Sequence, residues 1–216
     1  MSGLAGAIER LYAEFADVPK PGRIDGCPCC INEQEIVRLL ASPLREIPPG
    51  DLSSYAADAF LTVGGVEDYL YFLPRILEIS ATEDGWWPDP EVTGRAILAA
   101  NLDSWSASRL DALGDFLGAV VADAIQSGEH RKLDGWMCAI GRMGLDVRPY
   151  LTRIAESPAA VLAYFEDNAA GLPEGRLSNP FWELSNAGHD VIRDWFHSEA
   201  IRKVRFAAYG SLMPPG

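Results

Sequence analysis

Residues 51–80 carry the pattern that most constrains what this chain can fold into. Pro48-Pro49-Gly50 interrupts any preceding helix, and Asp51 is placed to cap a new one. Gly64-Gly65 then separates two stretches whose apolar side chains recur at helical spacing. The two apolar faces comprise Leu52, Tyr55, Ala56, Ala59, Phe60 and Val63, then Val66, Tyr69, Leu70, Leu73, Ile76 and Leu77. We therefore predict a helical hairpin over this stretch.

A second copy of the unit is predicted further along the chain. The segment Tyr150-Leu151-Thr152-Arg153-Ile154-Ala155-Glu156 echoes Phe72-Leu73-Pro74-Arg75-Ile76-Leu77-Glu78. We interpret 51–80 and 133–156 as a weak internal repeat of a two-helix unit, the kind that stacks on its neighbours. Leu73 and Leu151 are expected to occupy equivalent buried positions.

The fold class follows from what the rest of the chain lacks. Alternation of period two never extends beyond a few residues, so no strand is predicted. Further helices are expected at 2–17, after a cap at Asn32, near 90–100, at 106–127, after Ser157-Pro158, and at 180–187 and 189–208. The prediction is an all-α protein of about ten helices, stacked as antiparallel hairpins in an α-solenoid of the HEAT type. A single domain is expected over 1–216, with a loose tail at 211–216.

Charge narrows the classes of partner. The 216 residues carry a formal net charge of −13. Nucleic acid and anionic membranes are therefore disfavoured as partners, whereas a basic protein is compatible. No run approaches the roughly 18 apolar residues of a membrane span, and the N-terminus lacks the basic region of a signal peptide. Clustered cysteines favour a reducing compartment, so a cytoplasmic location is expected.

The cysteine cluster Cys27-Pro28-Cys29-Cys30 is the sharpest local motif. Redox catalysis would need a βαβ setting that the chain does not show. Zinc could be held by Cys27 and Cys30 with two further ligands from Cys138, His130, His189 or His197. Packing of small side chains in a tight turn is the third possibility. We expect Cys27 and Cys30 to lie close together before a helix at 32–41, reduced and unmetallated, with no cofactor.

Two function classes remain open. An enzyme would be a metal-dependent hydrolase, with histidines and aspartates from several helices meeting at a metal; the candidate residues are His130, His189, Asp190, Asp194 and His197. The chain offers few such residues, so a non-enzymatic binding protein is preferred.

The preferred function is an acidic helical module that binds a basic protein, for example an immunity or antitoxin-like protein. The loop with Trp86 and Trp87 supplies aromatic side chains of the kind enriched where partners dock. Carboxylates surround it in sequence, and the predicted binding residues are Trp86, Trp87, Asp84, Asp89 and Glu91.

The segment from 27 to 78 also carries a family resemblance. Its features are the cysteine cluster, Ser42-Pro43-Leu44-Arg45-Glu46, Val63-Gly64-Gly65-Val66-Glu67-Asp68-Tyr69 and Phe72-Leu73-Pro74-Arg75-Ile76-Leu77-Glu78. This stretch resembles a group of uncharacterised all-helical bacterial proteins with an N-terminal C-x-x-C, here Cys27 to Cys30. The resemblance implies a bacterial cytoplasmic protein and no particular activity.

Overall fold

The structure is a computed structural model that describes residues 3–183 and 186–210. It confirms the all-α prediction, because the described residues form eleven α-helices and no strand, with only two isolated β-bridges. The helices are α1 Leu4–Glu14, α2 Glu33–Ala41, α3 Pro49–Asp58, α4 Val66–Thr82, α5 Pro90–Ala99, α6 Ala107–Ser127, α7 Arg131–Arg142, α8 Arg148–Ala155, α9 Pro158–Asn168, α10 Ala187–Phe196 and α11 Glu199–Tyr209. Short 3-10 turns lie at Leu44–Glu46, Leu102–Ser104 and Leu172–Glu174.

The chain divides into two compact units, Met1–Ala119 and Val120–Gly216, called unit 1 and unit 2. Helix α6 begins in unit 1 and ends in unit 2. The single-domain organisation, the superposition of 51–80 on 133–156 and the stacking of all hairpins into one array stay predictions. The predicted tail at 211–216 lies outside the described residues.

Unit 1 is organised around α4. This helix packs against α1, α3 and α5, while α2 packs on α3. The middle of α4 is fully enclosed, since Phe72, Leu73 and Leu77 have no exposed surface. Burial of side chains of this size contributes about 1.5–3 kcal/mol each to folding.

The first hairpin differs from its prediction at both ends of α3. The helix begins at Pro49, which fits the first helical position because proline lacks only an amide that would be unpaired there. Asp51 therefore does not cap it, and its carboxylate instead accepts from Arg38 Nε at 2.9 Å. The helix ends at Asp58, five residues before the predicted end, and Phe60 adopts a left-handed backbone with φ 62°.

In unit 2, α7 packs against α9 and α10, α8 packs against the same two helices, and α11 packs on α9 and α10. Leu151 is buried in α8, as expected. The predicted helix at 180–187 is wrong for its described part, because residues 180–183 form a turn. The predicted helix at 189–208 is two helices, since Ser198 caps α11 by accepting from the Ile201 amide.

One buried polar network ties the elements of unit 2 together. Asn168, fully buried at the end of α9, donates to Asp134 Oδ1 of α7 at 2.8 Å and to the Tyr164 carbonyl at 3.2 Å. The side-chain oxygen of Asn168, Oδ1, accepts from the backbone amide of Ser178 at 3.0 Å. Asn179 donates to Asp134 Oδ2 at 2.9 Å. The amide of Asn168 is thus fully used, which a buried polar side chain requires.

None of the helices in the described residues has both the length and the apolar character needed to cross a membrane.

Candidate functional site

The cysteine cluster is shaped by a tight turn. The Cys27 carbonyl accepts from the amide of Cys30 at 2.9 Å and from that of Ile31 at 3.1 Å. Pro28 occupies the second position of this turn, where its fixed φ angle suits the conformation. The turn runs directly into the cap of α2, where Asn32 and Glu35 exchange hydrogen bonds. Four consecutive residues therefore place three thiols on one short stretch of rigid backbone.

A backbone strap fixes this turn to the connection between α3 and α4. The Cys27 amide donates to the Thr62 carbonyl at 2.9 Å, and the Gly64 amide donates to the Asp25 carbonyl at 2.7 Å. Gly26 pairs with Val63 between these two bonds. A Cβ at Gly26 would lie 2.8 Å from Ile31 Cγ2, so the close approach requires glycine. The strap holds the cysteine turn against the helical hairpin.

The three sulfur atoms lie together at the surface of unit 1. Cys27 Sγ is 2.7 Å from Cys29 Sγ, and Cys29 Sγ is 3.8 Å from Cys30 Sγ. All three cysteines are free, Cys29 is exposed, and Cys27 and Cys30 are half-buried. Within 3–183 and 186–210, they form the only group of three His, Cys, Asp or Glu whose ligand atoms all lie within 4.8 Å of one another.

Hydrogen bonds among the thiols separate their acidities. The Cys29 thiol and the backbone amides of Cys29 and Cys30 donate to the Cys27 sulfur, which lowers the pKa of Cys27 below its ordinary value. The bond that Cys29 makes to Cys27, with its contact to Cys30, raises the pKa of Cys29 to about 11. Cys27 therefore becomes a thiolate, the form that binds metals and attacks disulfides, more readily than Cys29 does.

Sequence reasoning found the pair Cys27 and Cys30 and their place in a turn before α2, which the structure confirms. It did not count Cys29, which lies between them and contacts both. Pro28 was the available signal, because proline at the second position favours a tight turn, which brings the first residue and those after it close together. The structure thus brings three thiols together where the C-x-x-C spacing indicated two.

The histidines and aspartates that were candidates for a metal-dependent hydrolase do not form a metal site in the described residues. His189 is buried, and its Nε2 accepts from the Leu177 amide at 3.3 Å while its Nδ1 lies 3.2 Å from Asp190 Oδ1. Both ring nitrogens are therefore occupied. Asp190 and Asp194 both accept from Arg193. His130 and His197 join no group of three metal ligands in the part of the chain that the structure describes.

The tryptophan loop presents one aromatic side chain and buries part of the other. Trp86 donates its indole N–H to the Pro49 carbonyl at 2.8 Å, which anchors the loop to the start of α3. Trp87, the next residue, is 55% exposed, and Pro88 after it is buried. Asp84 and Asp89 are exposed on either side. The loop is fixed by its neighbours, so the Trp87 ring is displayed and does not fold back on the core.

Glu91 is a correction to the predicted binding surface. It lies in the first turn of α5 and is only 5% exposed. The cause is the packing of α5 against α3 and α4, which covers this side of the helix. The exposed acidic residues of the loop are Glu83, Asp84 and Asp89.

Comparison with known proteins finds no family model, no curated protein and no solved structure that matches this chain.

Proposed function

We propose that this protein is a binding module that holds a basic protein partner against the tryptophan loop of unit 1, defined here as residues 83–89. The observation that carries the proposal is Trp87, a large aromatic side chain left 55% exposed by a loop that is itself anchored. An ordered aromatic ring loses little conformational freedom on binding, so its apolar surface contributes efficiently to affinity.

The distribution of charge favours a basic partner. Nearly two thirds of the acidic residues, but fewer than half of the basic ones, lie in unit 1, whereas unit 2 is close to balanced. The net charge of −13 is therefore concentrated on the unit that displays Trp87. Negative potential of this kind speeds encounter with a basic protein and repels phosphate backbones. Nucleic acid and anionic membranes are accordingly not the proposed partners.

A basic toxin is one concrete form of the partner, and the protein would then act as an immunity or antitoxin-like protein. Such a protein needs an anchor and complementary charge but no catalytic group. Free thiols clustered at the surface favour a reducing compartment, so we place this binding in the cytoplasm.

The test compares Trp87→Ala with a control matched for exposure. Leu98 on α5 is 54% exposed in the same unit and is not part of the tryptophan loop, so Leu98→Ala removes a similar exposed apolar group elsewhere. Proteins retained from the native host by the immobilised wild type are identified and purified, and their affinities for all three chains are measured by calorimetry. Trp87→Ala should weaken binding by about tenfold or more, as loss of a hot-spot residue does, and Leu98→Ala should leave it within about twofold.

Charge is tested separately with Glu83→Gln and Asp89→Asn. Both side chains are exposed, and Asp89 makes no side-chain hydrogen bond to the start of α5, so its replacement removes no capping bond. The double variant should bind more slowly and show a weaker dependence on salt. Equal affinity of wild type and Trp87→Ala for every purified partner would refute the proposed surface.

A further inference from the structure

The thiol cluster of unit 1 is a second site, independent of the tryptophan loop. We propose that Cys27, Cys29 and Cys30 together bind one soft d10 metal ion, Zn²⁺ or Cu⁺, through three thiolates; four-coordinate Zn²⁺ would keep one position open to an external ligand. The three sulfur atoms already lie within 4.8 Å of one another on a fixed turn.

Donor chemistry selects the class of ion. Thiolates are soft ligands, which favour zinc and copper(I) over magnesium, calcium or manganese. Around a zinc ion with bonds of about 2.3 Å to sulfur, tetrahedral sulfur atoms lie about 3.8 Å apart, and trigonal ones about 4.0 Å apart. Cys29 Sγ and Cys30 Sγ are 3.8 Å apart and already match. Cys27 Sγ and Cys29 Sγ, 2.7 Å apart, need to separate by about 1 Å to reach that spacing.

The backbone that carries the three cysteines is fixed by its neighbours. The turn is fixed by the Thr62 carbonyl and by the cap of α2, so the ligands are held in place before the ion arrives.

The open position follows from the ligand count. Among the described residues, no fourth His, Cys, Asp or Glu joins the three sulfur atoms. Cys29 is exposed, so water or a thiol from another molecule can reach the ion. Three protein ligands and one exchangeable position are typical of zinc sites that do more than stabilise a fold. Such a site can also accept a metal from, or pass it to, another thiol-bearing molecule.

Loading the site releases protons and involves no oxidation. Each thiol that becomes a ligand gives its S–H proton to the buffer, so one ion displaces up to three protons while all three sulfurs stay reduced. The competing chemistry is different: two thiols lose two electrons and two protons to an oxidant and form a disulfide.

The first experiment uses the wild-type chain, reduced and stripped of metal. Zn²⁺ and, under anaerobic conditions, Cu⁺ are titrated against a chromophoric chelator of known affinity, and proton release is measured in parallel. One equivalent should bind with release of two to three protons. Mass spectrometry after alkylation should show Cys27, Cys29 and Cys30 protected by the metal and modified without it. Cys138, buried in α7, should be unmodified in both samples.

Variants then identify the ligands. Cys27→Ser, Cys29→Ser and Cys30→Ser should each weaken binding by more than about a hundredfold, since loss even of an outer partner of a metal ligand costs about 10–100-fold. Cys138→Ala is the matched control, because it removes the fourth cysteine in unit 2, and it should keep the wild-type affinity. Full affinity in Cys29→Ser would overturn the three-thiolate site. So would the absence of stoichiometric binding by wild type to either ion, or a cluster whose only reaction is oxidation to a disulfide. A preference for zinc or for copper identifies which of the two ions the site holds.

Discussion

Replacing Asn168 with aspartate tests the buried network of unit 2 most directly. The substitution keeps the size of the side chain and the oxygen that accepts from the Ser178 amide. It removes the NH₂ group that donates to Asp134 and to the Tyr164 carbonyl. A hydrogen bond to a charged group contributes about 1.5–3 kcal/mol and a neutral one about 0.5–1.5 kcal/mol, so the lost bonds alone amount to about 2–4.5 kcal/mol.

The new carboxylate adds a dependence on pH. At residue 168 it would be fully buried, as Asn168 is, and it would face the Asp134 carboxylate, so its folded-state pKa is raised above the unfolded value near 4. Burial and the charge of Asp134 already raise the pKa of Asp167 in this region. A raised folded-state pKa means that the folded variant binds the proton more tightly than the unfolded one. The free energy of unfolding therefore falls as pH rises from the unfolded-state pKa near 4 to the raised folded-state pKa, by up to about 1.4 kcal/mol per pH unit.

Urea denaturation at pH 7 and pH 5 measures both effects. Asn168→Asp should lose about 3 kcal/mol or more at pH 7 and recover at least about 1 kcal/mol of it at pH 5. Asn168→Ala removes the same donors without adding a charge, so its loss should change little between the two values. Hydrogen exchange should place the effect in unit 2 and leave unit 1 peptides as an internal control. Wild-type stability in Asn168→Asp at pH 7, or a loss independent of pH, would refute this account.

Four further substitutions probe packing and backbone conformation by chemical denaturation. Leu73→Ala and Leu151→Ala should each cost about 2–5 kcal/mol, because each truncates a buried leucine and leaves a cavity. Gly64→Ala should lower stability by more than about 1 kcal/mol, since φ is +67° there and the new methyl group would meet Asp68 and the Tyr55 ring. An unchanged denaturation midpoint would contradict this expectation. A Cβ added at Gly114 in α6 would lie within 4 Å of no other atom, so Gly114→Ala should stabilise the chain by about 0.5–1 kcal/mol. A loss of stability would contradict the placement of Gly114 in an open helical position.

The elements that the sequence predicted correctly are those specified by neighbouring residues. Asn32 and Glu35 form the predicted capping box, and Ser157-Pro158 starts α9 as expected. Each signal acts within one helical turn, so no knowledge of the rest of the fold was needed. The all-α class followed in the same way from helical spacing along many short segments.

Two of the errors concern contacts between residues that are distant in sequence. Glu91 reads as an exposed acidic residue at a helix start, and only the packing of α5 shows that it is buried. The end of α3 at Asp58 coincides with the strap to the cysteine turn and with Arg95 of α5, which donates to the carbonyls of Ala57 and Ala59. Neither partner can be located from the sequence around Asp58. For the candidate site, the sequence predicted the pair Cys27 and Cys30 and its turn but not the third thiol, Cys29.

The strap between Gly26 and Val63 has a consequence for how the chain reaches this state. Its two sides are separated by roughly forty residues, so closing the loop costs chain entropy that local helix formation does not. Contacts of such separation form slowly compared with single helices. In a chain that is still folding, α2 and α3 can exist while the cysteine turn is not yet held. During that interval Cys27, Cys29 and Cys30 are not yet held by the turn, and an oxidant can join them in disulfides within the chain or between chains. Refolding in a strong reductant should therefore give a higher yield of native protein than refolding in air.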